Sequence, residues 1–260
     1  VNDNSTVGDK YTSAVGSNSN LGTALAPFAT LQAAIDAAAS GDVINVDAGT
    51  FTENVTVDKR ITLNGAGSGI SGTVVSVSTG SAITVTASGD NASNRLVVKN
   101  LRVTGGSASG IYVTNATSNN YLTFDNIYAL SNTDGISFAG TGSVADVIIS
   151  NSFLSNNVNN GLRIASACPS FTGLTVSDCE MNSNGWQAFS YNATGANNIG
   201  TDFNFTNCSF NNNCSSNANS AGLHDLSFYG FKGNATLTNV TVVANHTANG
   251  HGIVFTPQPL

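Results

Sequence analysis

The chain is 260 residues long with only 9% charged residues, and eight Lys and Arg against fifteen Asp and Glu leave a net charge of −7. So few basic side chains exclude the positive footprint that nucleic acid requires, and no apolar stretch approaches the roughly 18 residues of a membrane-spanning helix. Hydrophobic residues make up 40% of the chain and recur in short regular runs, which excludes disorder and suits one all-β domain over residues 1–260.

Residues 1–24 read as an extension, and its start, Val1-Asn2-Asp3-Asn4, fits a mature end left after removal of a signal peptide. Residues 25–42 read as a cap. Leu31, Ala34, Ile35 and Ala38 recur at helical spacing, Thr30 is a good N-cap and Gly41 a terminator, which predicts a helix from about Leu31 to Ser40. Strand patterns follow at once in GDVINV, AGTFTENVTV and ITLNGAG, then in TVVSV (73–77) and AITVT (82–86).

From residue 96 an internal repeat takes over. An apolar-x-apolar-x-Asn pattern recurs as LVVKNLRV (96–103), LTFDNIYA (122–129), VIISNSFL (147–154), LTVSDCEM (174–181), FNFTNCSF (203–210) and ATLTNVTV (235–242). Its fifth position holds Asn100, Asn126, Asn151, Asp178, Asn207 and Asn239, spaced 26, 25, 27, 29 and 32 residues apart, which suits a coil and not a hairpin. A glycine and a second short strand follow most copies, as in GIYV (110–113), GISF (135–138), GLRI (161–164) and GIVF (252–255). Period-2 alternation sends inward the residues four and two before the Asn and one and three after it, such as Phe203, Phe205, Cys208 and Phe210. The phase jump marks a corner, where Asn side chains stacked at the roughly 4.8 Å strand spacing are expected to form an amide ladder facing the core. Coils then occupy residues 43–256, with Asn211 to Ser220 as an insertion in the fifth copy and residues 257–260 as a tail.

Helix, first strands and repeat together, over roughly residues 25–256, resemble the right-handed parallel β-helix proteins of the pectate-lyase-like superfamily, in the secreted bacterial form with an N-terminal helix cap. The resemblance implies an all-β three-sheet solenoid with a short capping α-helix and an extracellular or cell-surface location. It also implies where activity would lie: a groove along one sheet, with clustered acids and calcium, or paired carboxylates, plus a basic residue, acting on acidic polysaccharide.

The outward columns present no such pair of close carboxylates. Beyond the glycine the column holds Tyr112, Ser137, Arg163 and Ser190, with His224 and Asp225 in the irregular fifth copy and Val254 in the sixth. Arg163 has no acid beside it in that column, and His224-Asp225 are adjacent residues that alternate faces, so these three are weak catalytic candidates. Lys99 and Asp125 face each other on adjacent coils as a surface ion pair. After the Asn, Arg102, Tyr128, Phe153, Glu180, Ser209 and Thr241 form a column whose aromatics, with Tyr112, suit sugar rings or a protein partner. The four cysteines form no CxxC, and His224, His246 and His251 have no zinc spacing with them, so no metal or cofactor is expected. Cys179 and Cys208 share an inward column and are expected as free thiols, with three pairings formally open. Asn-x-Ser/Thr sequons occur throughout; Asn115 and Asn192 sit at turns, whereas Asn207 and Asn239, as inward ladder residues, leave no room for a glycan.

The preferred reading is an extracellular non-catalytic β-helical structural or adhesive module. With two prolines and no plug at its carboxy end, it is expected to associate end to end into filaments. The alternatives are a polysaccharide lyase or glycoside hydrolase acting on extracellular glycans, and a passive glycan-binding module.

Overall fold

The computed structural model describes residues 1–114, 116–192, 198–215, 224–243 and 251–256. The backbone winds as a parallel β-solenoid with three faces, and the third face alone carries eight strands, from Val55–Val57 to His251–Thr256, giving about seven turns. The register matches the sequence repeat residue for residue: Leu96 pairs with Leu122, Leu122 with Val147, Val147 with Leu174, Leu174 with Phe203 and Phe203 with Ala235. In one coil, Leu122–Asp125 lie on the first face, Ile127–Leu130 on the second and Asp134–Phe138 on the third.

The corners have a common cause. Single residues with positive φ recur every five positions, as in Asp146, Asn151 and Asn156 (φ 56, 50 and 56°) and in Asp202, Asn207 and Asn212 (φ 59, 54 and 57°). One left-handed residue turns an extended chain without breaking the ladder on either side, and Asn, Asp and Gly adopt that conformation at least cost. Between the corners, period-2 alternation fills the interior as expected: Leu174, Val176, Cys179 and Met181 in one coil, and Phe203, Phe205, Cys208 and Phe210 in the next, are all buried. Aliphatic residues dominate the early coils, and a run of edge-to-face phenylalanines fills the later ones, with Phe138–Phe171 centroids 5.0 Å apart and Phe171–Phe203 5.6 Å apart.

The helix runs from Leu31 to Ala37, three residues shorter than expected, because Ala38 is already extended (ψ 147°). Thr30 accepts from the Ala33 N–H as the expected N-cap. The first coil holds both helix ends with matching charge. Glu53 accepts from the Leu31 and Gln32 N–H groups (2.7 and 3.1 Å), and Lys59 Nζ donates to the Ile35 and Ala38 carbonyls (3.0 and 3.3 Å), complementing the dipole.

Residues 1–24 are part of the cap. The Val1 amino group donates to the Asn45 carbonyl, Asp47 N–H donates back to Val1, and Asn2 is fully buried. At the other end Ile253 and Phe255 are 42% and 53% exposed, whereas Leu226 and Phe228, one coil earlier on the same columns, are completely buried. The expected tail, residues 257–260, lies outside the described residues, as does much of the expected insertion.

Candidate functional site

The predicted asparagine ladder exists but faces outward. Asn64 donates to Asn45, Asn100 to Asn64 and Asn126 to Asn100 through side-chain amides (2.8–2.9 Å), and Asn239 donates to Asn207 and Asn207 to Asp178 (2.8 and 3.0 Å). Between these runs Asn151 donates instead to Asp125 (2.8 Å), and Asp178 has no amide to pass the chain on. Asn100 and Asn126 are half-exposed, and Asn151, Asp178, Asn207 and Asn239 are exposed. The positive φ that places each Asn at a corner also swings its side chain out of the core, so burial does not exclude a glycan at Asn207 or Asn239. Asn192 is exposed as well; Asn115 lies outside the described residues.

The inward ladder lies six residues further along each coil. Asn132, Asn157, Asn184 and Asn213 are 0–3% exposed. Each Oδ1 of the next coil accepts both the backbone N–H and the side-chain amide of the preceding Asn: Asn132 to Asn157 (3.1 and 3.3 Å), Asn157 to Asn184 (3.1 and 3.1 Å) and Asn184 to Asn213 (3.0 and 3.0 Å). The ladder ends where Asn213 Nδ2 donates to Asp225 Oδ1 at 2.9 Å. Asn211 and Asn213, assigned from sequence to an insertion, thus belong to a strand and to this ladder respectively.

Two catalytic candidates therefore sit elsewhere than expected. Ser227, not His224 or Asp225, continues the outward column, pairing with Ser190 and Val254. Asp225 is fully buried at the ladder's end. His224, also buried, accepts the His251 N–H on Nδ1 (3.1 Å) and stacks on the His251 ring, 5.3 Å between centroids. Arg163 is in its expected column, between Ser137 and Ser190, but it does have an acidic neighbour. Its Nη1 lies 3.4 Å from Oδ2 of the buried Asp134, whose Oδ1 accepts from both the N–H and Nδ2 of Asn160 (3.1 and 2.8 Å). Asp134 reaches Arg163 from the first position of the preceding coil's strand. Lys99 and Asp125 are paired in register as expected, yet the Asp125 carboxylate accepts from Ser150 Oγ and Asn151 Nδ2 (2.8 Å each) and makes no ion pair with Lys99.

The aromatic column forms as predicted. Tyr128 and Phe153 are half-exposed neighbours on the second face, centroids 5.6 Å apart and tilted by 38°, flanked by Arg102 and Glu180. Tyr112 lies on the third face, apart from them. All four cysteines are free and buried. Among the described residues no three Asp, Glu, His or Cys side chains converge as metal ligands, and no helix is long and apolar enough to cross a membrane.

Neither a protein-family model nor a curated protein sequence matches this chain. Among solved structures it superposes on pectate lyase Pel9A with a TM-score of 0.58 over 86% of its length, at 18% identity. The chain has the right-handed parallel β-helix fold. The β-helix also superposes on pectin methylesterase PemA from Erwinia chrysanthemi, with a TM-score of 0.50 at 14% identity, covering 82% of this chain and 74% of that one. It spans 60% of the length of Pel9A.

Proposed function

We propose that this β-helix is an extracellular, non-catalytic structural or adhesive module that touches glycans through Tyr128 and Phe153. One observation carries the reading: the groups nearest to a catalytic set are built into the scaffold. Arg163 neutralises buried Asp134, Asp225 terminates the inward ladder, and His224 is stacked on the last coil. A proton-transfer group needs access and a partner poised for substrate, and these three have scaffold partners instead. The Tyr128–Phe153 pair differs, being two adjacent half-exposed rings beside a cation, which suits sugar faces. The names of the pectin-acting neighbours support a glycan setting, while their 14–18% identity supports the fold alone. Self-association through the edge that carries the exposed Ile253 and Phe255 is part of the same proposal.

The test is incubation with acidic and neutral polysaccharides, followed by assays for unsaturated products and new reducing ends, with retention on the same glycans measured in parallel. We expect no turnover, and weak retention that Tyr128→Ala with Phe153→Ala removes. Turnover abolished by Arg163→Ala or His224→Ala overturns the reading. Light scattering over a wide concentration range checks the assembly, and a particle that stays monomeric rejects self-association.

A further inference from the structure

Exposed apolar side chains gather at the two ends of the solenoid. Of the twelve large ones among the described residues, five lie on the amino-terminal cap, Leu21 (86% exposed) and Val43 (59%) among them, and three on the last described coil, Val243, Ile253 and Phe255. The other four are spread over the coils between, as apolar residues on a protein surface commonly are.

The cap is also concave. Leu21, Phe28, Ala37, Asp42 and Val43 line a hollow of about 400 Å³ against the helix and the first strand, Val43–Val46. The backbone edge of that strand is engaged, because Val1 exchanges hydrogen bonds with Asn45 and Asp47. A partner at this end therefore meets side chains and not an open strand edge. At the opposite end Ile253 and Phe255 continue the inward columns of Leu226 and Phe228, so the exposed surface there is the end of the core itself. Phe255 stacks on Phe228 with 4.4 Å between centroids and still keeps half of its surface open.

Charge divides the same way. Residues 1–47 hold five aspartates and one lysine, and Asp36 on the helix and Asp42 in the hollow are both exposed. Residues 226–260 hold no acid, one lysine and two histidines, and Lys232 and His251 are exposed. Two carboxy edges would meet with like charge, whereas edge against cap brings opposite charges together.

We propose that the partner of the carboxy-terminal edge is the amino-terminal cap of a second copy of this chain, with Ile253 and Phe255 of one copy packed into the Leu21–Val43 hollow of the next. The inference rests on the self-association proposed above and adds its polarity. Because the contact joins two different surfaces, each added copy presents a further free edge and growth continues past the dimer.

The experiment is sedimentation velocity with light scattering on the full chain and on two double variants of exposed side chains. Leu21→Ser with Val43→Thr alters the cap, and Ile253→Thr with Phe255→Thr alters the edge; circular dichroism checks that each keeps the wild-type fold. Wild type grows beyond dimers as its concentration rises. Each double variant alone loses affinity on the order of tenfold or more. Mixed in equal amounts, the intact edge of the cap variant meets the intact cap of the edge variant, and the mixture forms a 1:1 dimer and nothing larger. If the cap variant alone dimerises as tightly as wild type and mixing adds nothing, edge pairs with edge: self-association stands and this inference falls. That comparison needs the cap variant only, so it decides the polarity whatever the edge substitutions do to the last coil. If wild type stays monomeric at every concentration, both fall.

Discussion

Truncation of Asn184 to Ala separates the two ladders energetically. Asn184 is completely buried; its Oδ1 accepts from Asn157 N–H and Nδ2, and its Nδ2 donates to the Leu154 carbonyl and to Asn213 Oδ1, all at 3.0–3.1 Å. Asn157 Nδ2 keeps the Ala129 carbonyl, and Asn213 Oδ1 keeps the backbone N–H of residue 184. Two groups, Asn157 N–H and the Leu154 carbonyl, lose the partner that the ladder gives them in a dry interior. The orphaned Asn157 N–H costs about 1–3 kcal/mol and the Leu154 carbonyl, whose strand stays paired with the adjacent coil, loses one hydrogen bond of about 0.5–1.5 kcal/mol, so Asn184→Ala costs about 2–4 kcal/mol. Asn207→Ala on the outer ladder also breaks two amide bonds, but water replaces them, and the main cost is an Ala held at φ 54°, roughly 1–2 kcal/mol. Asn207→Gly, free of that strain, stays within about 0.5 kcal/mol of wild type. Urea unfolding followed by far-ultraviolet circular dichroism reads these differences as midpoint shifts at constant slope. An Asn184→Ala protein within about 1 kcal/mol of wild type, or more stable than Asn207→Ala, would refute the assignment of the inward ladder.

Arg163→Met leaves the Asp134 carboxylate supported by Asn160 alone; because Arg163 is itself 45% exposed, the loss in the same unfolding assay is about 1–2 kcal/mol, and no loss would mean that the 3.4 Å pair is incidental. Glu53→Gln weakens the amino-terminal charge contact of the helix and costs about 0.5–1 kcal/mol; a larger loss would mean that the helix carries more of the cap than its two end contacts. Burial pushes Cys168 up to about 11 and Cys214 up to about 12, contact with Cys208 and then burial raise Cys179, and the Cys179 and Cys208 thiols each donate to backbone carbonyls in the core. A thiol-reactive chromogenic disulfide at pH 8 should therefore label all four only after denaturation, and rapid native labelling would contradict the buried placement.

Strand register was readable because a period of two is unforgiving: a slip of one residue in FNFTNCSF would send Phe203 and Phe205 into water. Face assignment at the corners was not, because the sequence carries residue type and not φ. Asn126 and Asn132 are the same residue six positions apart, yet Asn126 sits at φ 52° and points outward, while Asn132 follows the left-handed Ser131 (φ 57°) and points inward. A signal for the inward ladder is present, since Asn132, Asn157, Asn184 and Asn213 recur at 25, 27 and 29 residues. In stretches such as SNNVNNG and FNNNC that signal is hidden among neighbouring asparagines, and nothing local says which one enters the core.

The candidate site failed to be legible for a related reason. Columns can be counted along strands, because coil neighbours keep register, but long side chains reach across columns. Asp134 and Arg163 lie 29 residues apart, one coil plus the three positions from Asp134 to Ser137 along the strand, so a count along the outward column alone passes Asp134 by. In the copy after Asn207 the coil is longer, and counting from its glycine assigns His224 and Asp225 to a column that Ser227 occupies. Both corrections give the candidate groups partners within the framework. Tyr128 and Phe153, by contrast, keep the column in which counting placed them, because both lie within strands that pair in register with the adjacent coils.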